Sequence, residues 1–330
     1  MNNKNAEGIT WISPQSLIQL RLQANQIPLN NSKIHAKQGG AYISSFKGRG
    51  MEYDESRIYQ AGDDIRNMDW RVTARTGTAH CKVFREERER PVLLWLDLNA
   101  SMMFATRNKF KSVVATEIAT LIAWSAAKNN DRVGGLIFSA DEHQEIKPRR
   151  GKTAVLDFIG RATKHHAWKS APAHAKSSQA QSNQAQSALK RNMASAIARL
   201  RKVTHPGSLI FMLSDFRDMD EKSYSHLANI ARHNDIVLIK ISDPIEVELP
   251  SSGSYKLTDG TNELQIQTSS TTTRKEYHQH YLEQNSHLEK FCRKNRMHLI
   301  QVSTSDNALN KLISGLGIQT DNKTQFRSAK

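Results

Sequence analysis

The sequence predicts an α/β protein: a doubly wound, mostly parallel sheet with an N-terminal docking extension and a late β-hairpin excursion. From Pro91 onward, apolar runs of strand length alternate with segments of helix length, as they do when helices cover both faces of a parallel sheet. The 330 residues are 38% hydrophobic, enough for the core of one large or two modest domains. No internal repeat stands out.

Residues 1–90 read as the extension. It opens with a helix over 14–25, passes through the Gly-rich stretch KQGGAYISSFKGRGME, and reaches IYQAGDDIRNMDWRVTART. There Asp63 caps a helix whose Ile65, Met68 and Val72 share a face, and Trp70 is a core anchor. The large apolar residues of 48–90 are too few for a separate core, so this region is expected to dock on the sheet domain, residues 91–330.

The strands of that domain are VLLWLDL (92–98), RVGGLIF (132–138), EIKPRR (145–150, an edge), SLIFMLSDF (208–216), DIVLIKI (235–241) and MHLIQVS (297–303). FKSVVATEIATLIAWSAAKNN, residues 110–130, is apolar enough to be a well-buried helix; others start near Asn192 and cover 274–295. Two segments break the rhythm. Residues 169–190, KSAPAHAKSSQAQSNQAQSALK, hold almost no large apolar group and read as a disordered insertion. Residues 247–268 carry two short alternating runs around Asp259-Gly260, a β-hairpin signal.

The net charge of +15 and pI near 9.8 are unevenly distributed. Between Lys147 and His205 thirteen Lys and Arg stand against one acid, Asp157. Only Phe158 and Trp168 supply aromatics there, so specific nucleic-acid recognition is not expected; an acidic protein surface or weak polyanion binding is. The N-terminus lacks the features of a signal peptide and no window reaches the roughly 18 apolar residues of a membrane span, which places the protein in the cytoplasm. Cys81 and Cys292 are too few for a disulfide framework, and His165, His166 and His174 have no Cys or paired acid at zinc-ligand spacing, so they read as exposed basic residues.

Residues 48–104 resemble the bacterial family known as domain of unknown function 58, which is built around a von Willebrand factor A-like domain. The resemblance rests on Gly48-x-Gly50, Arg57-x-Tyr59, Gly62-Asp63-Asp64-x-Arg66, Asp69-Trp70, Ala74-Arg75 and Phe84-x-Glu86. Weaker matches follow at Asp131-Arg132-Val133-Gly134, Ser214-Asp215-Phe216, Asp243-Pro244 and Leu249-Pro250. It implies a Rossmann-like sheet with a metal-ion-dependent adhesion site at the carboxyl ends of the strands, formed by Asp-x-Ser-x-Ser, a Thr and a later Asp. Asp97, Ser101 and Asp215 fit that pattern, Asn99 replaces the first Ser, and Arg191 falls in the Thr position. The implied ion is Mg²⁺, an oxygen-ligated hard cation. An arginine is no ligand, so the expected state is a degenerate site in which Arg191 replaces the metal and no cofactor is held, unless Ser187 or Ser195 supplies the hydroxyl.

The function this implies is a non-catalytic adaptor working with a MoxR-type AAA+ ATPase, beside which members of the resembled family are commonly found. The alternatives are a metal-dependent phosphoryl-transfer or hydrolytic enzyme, and a nonspecific polyanion binder. The enzyme reading lacks the second acid it needs, because Asn99 moves no proton near neutral pH. One consequence is checkable at once. Deleting 171–188 should leave the melting temperature nearly unchanged in a thermal scan, and a large drop would mean that the segment packs.

Overall fold

The computed structural model describes residues 6–27, 29, 51–86, 91–169, 193–250, 253–258 and 263–317. The chain divides into two compact units, residues 36–89 and residues 1–35 together with 90–330. The segment expected as one extension is thus split. Ile12, Leu17, Ala24 and Ile27 belong to the core of the larger unit, where the indole Nε1 of Trp124 donates to the Leu17 carbonyl at 3.3 Å. The helix expected over 14–25 is two short ones, Pro14–Gln19, capped by Ser13, and Arg21–Ala24.

In the smaller unit, β1 (Met51–Ile58) pairs antiparallel with β2 (His80–Glu86), with a bulge between Tyr53 and Glu55. The continuous helix expected from Asp63 does not form. Asp64 caps a 3-10 turn, Ile65–Asn67, and Asp69 starts a separate helix, Trp70–Thr76, by accepting the Val72 amide at 3.1 Å. Each carboxylate satisfies amides that an uninterrupted helix would bond internally, so the chain begins twice. Asp63 instead accepts Arg57 Nη2 at 2.6 Å. The predicted apolar face is lost with the helix: Ile65 and Trp70 are both 66% exposed, and Trp70 is no core anchor.

In the larger unit six strands form one sheet: β3 (Val92–Asp97), β4 (Arg132–Phe138), β5 (His143–Arg150), β6 (Leu209–Ser214), β7 (Asp235–Ser242) and, after an antiparallel pair of β8 (Ser254–Thr258) with β9 (Glu263–Gln267), β10 (His298–Ser303). Their order is β10-β7-β6-β3-β4-β5, parallel except for β5. β5 is an edge strand carrying Pro148 and exposed Lys147, Arg149 and Arg150, which discourage pairing with another chain. Part of the basic excess therefore has a structural use. The remainder of that segment falls partly on 170–192, outside the described residues along with the insertion expected there.

Helices cover both faces. Leu94 and Leu96 pack with the helix Lys111–Lys128, of which fifteen of the 18 residues are buried, and with Lys152–Lys164. Leu93 and Trp95 face a second core made by the helix over 193–203, Glu221–Ala231 and the later turns of Thr271–Lys294. Trp95 sits 4.3 Å from Phe138, ring centroid to centroid.

Gly135 of β4 sits at a register shift against β5 with φ 155, and a Cβ there would stand 1.9 Å from the Leu94 carbonyl oxygen of β3. Only glycine fits there. Gly135→Ala should cost about 3 kcal/mol or more in a denaturant titration, because the obstacle is the backbone of the central strand, and a loss under about 1 kcal/mol would contradict this packing.

Candidate functional site

Sheet order reverses between β3 and β6: from β3 the chain moves outward to β4 and β5, then returns to β6 on the other side. Ligands of open α/β sheets bind outside the carboxyl ends of the strands at such a switch point. Asp97 ends β3, and Asp215 follows the last residue of β6, Ser214. Both carboxylates are buried, at 1% and 3% exposure.

Asp97 is held from two sides. Its Oδ2 accepts Ser214 Oγ at 2.6 Å and its Oδ1 accepts the Asn99 amide at 2.9 Å. Burial, reinforced by the neighbouring negative charge of Asp215, pushes its carboxyl up to about 7. Ser214 Oγ in turn accepts the Phe216 amide at 3.0 Å, and Phe216 adopts φ 54, a strained conformation for a bulky residue.

Asp215 has a different partner, Lys111. The Lys111 ammonium, fully buried, donates to Asp215 Oδ2 at 2.8 Å and to Glu246 Oε1 at 2.7 Å. Burial disfavours its charge, yet the two carboxylates and their hydrogen bonds prevail and raise its pKa above the usual lysine range. Burial likewise opposes the charge of Asp215, and the Lys111 ammonium more than reverses this, so Asp215 titrates below the ordinary carboxylate range. Arg217 Nη1 reaches Glu246 Oε1 at 3.2 Å, completing an alternating row of two acids and two bases.

The row is anchored in the next loop. Glu246 Oε2 accepts the Asp243 amide at 3.0 Å in a capping box. Asp243 binds the Thr106 hydroxyl at 2.5 Å, the Thr106 amide at 2.9 Å and the Thr304 hydroxyl at 2.7 Å. Loops following β3, β6, β7 and β10 are thereby tied together.

Of the four residues predicted to form the site, Asp97 and Asp215 lie close enough for their charges to interact, and Asn99 is buried beside Asp97. Ser101, half-buried, lines a cavity of about 330 Å³ with Phe104, Arg217, Glu246 and Tyr277. Arg191 and Ser187 lie outside the described residues, and Ser195 is exposed on its helix. The residues missed are Lys111, Glu246 and Arg217. Lys111 had a signal: a cation opening an otherwise apolar helix faces the positive end of the helix dipole and calls for carboxylates nearby. Among the described residues no group of three or more His, Cys, Asp or Glu side chains is arranged to hold a metal ion. The positions around Asp215 do not fit a divalent cation, since an ammonium is already bonded to its Oδ2. One histidine also differs from expectation: His165 is buried, at 1% exposure, and its Nδ1 accepts the Ala167 amide at 3.3 Å.

The site has a pH signature. Because Asp97 has a raised folded pKa of about 7, the native state binds its proton more tightly than the unfolded chain does, so ionising it destabilises the fold. The Asp97→Asn variant should be more stable than wild type at about pH 8 by an amount that shrinks as pH falls below about 7 and disappears only below about pH 4, read from paired denaturant titrations. A constant difference across that window would show that Asp97 ionises normally. Asp215 acts in the opposite direction and lower, its contribution being lost as pH falls through its depressed folded pKa.

Comparison with known proteins gives this geometry a family. "Uncharacterized protein Mb1516" of Mycobacterium bovis and "Uncharacterized protein Rv1480" of Mycobacterium tuberculosis are each 30% identical over 227 residues, 69% of this chain and 66% of theirs. The matched part thus falls just short of two thirds of those relatives' length. Two crystal structures align at lower similarity. One is the conserved hypothetical protein BatB from Bacteroides thetaiotaomicron, with TM-score 0.38, 12% identity, and 69% of this chain and 98% of that one covered. The other is an aerotolerance-related membrane protein from Bacteroides fragilis, with TM-score 0.40, 14% identity, and 68% and 96% covered. In this chain no helix among the described residues is long and apolar enough to cross a membrane. The profile described as "Protein of unknown function DUF58" matches residues 55–287, well over half of the sequence, and the chain belongs to that family.

Proposed function

We propose that the protein is a non-catalytic interaction module, von Willebrand A-like in design, that grips a protein partner through the carboxyl-end face of its sheet. In this reading it acts in the cytoplasm, with a MoxR-type AAA+ ATPase, in the assembly or activation of other proteins. The observation that carries it is the Lys111 ammonium bonded to Asp215 and Glu246 at 2.8 and 2.7 Å. An adhesion site of the resembled kind presents a divalent cation to a partner's carboxylate. Here a fixed ammonium holds the acids, so the site needs no Mg²⁺, and Arg217, 54% exposed at the rim, is the cation left for the partner. The cavity beside it, with Phe104, Leu249, Pro250, Tyr255 and Tyr277, supplies apolar contact around that charge.

The enzymatic alternative is less well supported. A nucleophilic aspartate must reach its substrate, whereas Asp97 is 1% exposed and both its oxygens accept hydrogen bonds within the protein.

Two measurements test the proposal. Calorimetry with Mg²⁺ at millimolar concentration should show no binding to wild type, and Lys111→Met should cost roughly 3–5 kcal/mol of stability by leaving Asp215 and Glu246 buried without their cation. With a MoxR-type AAA+ ATPase from the same organism, the chain should form a complex that Arg217→Ala weakens by about 1–3 kcal/mol. Saturable Mg²⁺ binding lost in Asp97→Ala would restore a metal-dependent site, and aryl phosphate hydrolysis lost in the same variant would make the protein an enzyme.

A further inference from the structure

On the far side of Arg217, Glu246 and Tyr277 lies a second cavity of about 390 Å³, within the size range of ligand pockets. It opens between the ends of β6 and β7 and the helix Thr271–Lys294. Lys240, on β7, lines it and is 9% exposed. Its ammonium donates to Asn285 Oδ1 at 3.1 Å and stands 4.7 Å from the centre of the Tyr281 ring. Asn285 is neutral. Among the described residues no carboxylate is within ion-pair distance of the Lys240 ammonium. The two acids that line the cavity, Asp215 and Glu246, are bonded to Lys111 and Arg217. Lys240 is therefore a buried cation with no ion pair of its own among the described residues; burial lowers its pKa, and Asp215, Glu246 and Glu289 offset this only in part and from beyond ion-pair distance.

The walls define what would compensate it. Tyr224, Tyr277 and Tyr281 line the cavity with Phe216, Met219 and Leu288, so an aromatic and apolar wall stands beside the charged floor, with His280, Gln284 and His287 adding polar edges. We propose that this cavity is a binding site for a carboxylate carried on an aromatic or branched apolar body, with the carboxylate seated on Lys240 and the body against the three tyrosines. The same chemistry is offered by a free organic acid and by the C-terminal residue of a peptide chain. The proposal does not rest on the adaptor reading: the partner contact there needs Arg217 at the rim, while this site needs Lys240 on the floor.

The test uses the full-length protein and three probes in calorimetry: phenylacetate, its neutral analogue phenylacetamide, and a short peptide ending in phenylalanine with a free carboxylate. Phenylacetate or the peptide should bind saturably, and phenylacetamide should bind about tenfold more weakly or less, as expected on losing a charge-assisted hydrogen bond. Preference for the free acid identifies a small-molecule site, and preference for the peptide a chain-terminus site; both support the proposal. Lys240→Met should abolish binding. Because replacing a buried residue can disturb the fold, Gln284→Trp provides a second variant: Gln284 is exposed on the helix and lines the cavity, so an indole there should block it without touching the core. Absence of saturable binding by either carboxylate, equal binding of phenylacetamide, or binding that survives both variants would overturn the proposal. Complex formation with the ATPase should be unchanged in Lys240→Met, which separates failure of this site from failure of the adaptor reading.

Discussion

Everything at the carboxyl end of the sheet depends on one ammonium. Lys111 is fully buried at the start of its helix, where the dipole is unfavourable to a positive charge, and only Asp215 and Glu246 make its position tolerable. The dependence is mutual. Each carboxylate has been taken from water, and a buried ion without its partner costs several kcal/mol, so the three groups are stable together or not at all. A buried pair of this kind is weak evidence of net stability relative to an apolar core; what it fixes is arrangement.

That arrangement spreads outward through directional bonds. Glu246 is positioned by the capping box of Asp243, and Asp243 collects hydroxyls from the loops after β3 and β10. Ser214 links Asp97 to the strained turn at Phe216. A mobile, water-exposed loop cluster would not hold such a turn. The network therefore gives the switch point of the sheet a rigid floor, with Arg217 exposed at its rim and Lys240 buried on the floor of the neighbouring cavity.

A lysine differs from a divalent cation in what it permits. Mg²⁺ can leave, exchange its waters and accept an incoming carboxylate, so binding through it depends on metal supply. An ammonium covalently attached to the central helix can do none of these. In the proposed function, recognition passes from an exchangeable ion to fixed side chains, and partner selection then depends on geometry and charge around Arg217 rather than on ion concentration. Asp97, whose carboxyl is pushed up to about 7 by burial and by Asp215, is a group in this network whose charge changes near neutral pH.

Much of the fold was legible because it is written locally. The apolar runs at 92–98, 132–138 and 208–216 place their strands within a residue or two, and the breadth of apolar surface on 110–130 signals a helix buried on nearly every side. The same local logic locates Asp97 and Asp215, since a buried parallel strand ends where its apolar run ends. It failed at Asp63–Trp70 because several aspartates in a row offer several competing caps, and local spacing does not rank them. It also failed on the cation. The sequence by itself determined the sheet, its edge strand, the central helix and the two strand-end aspartates. Only the tertiary structure decided that Lys111, 104 positions before Asp215 and 135 before Glu246, is the charge that joins them, because which buried ions meet is set by how distant segments pack.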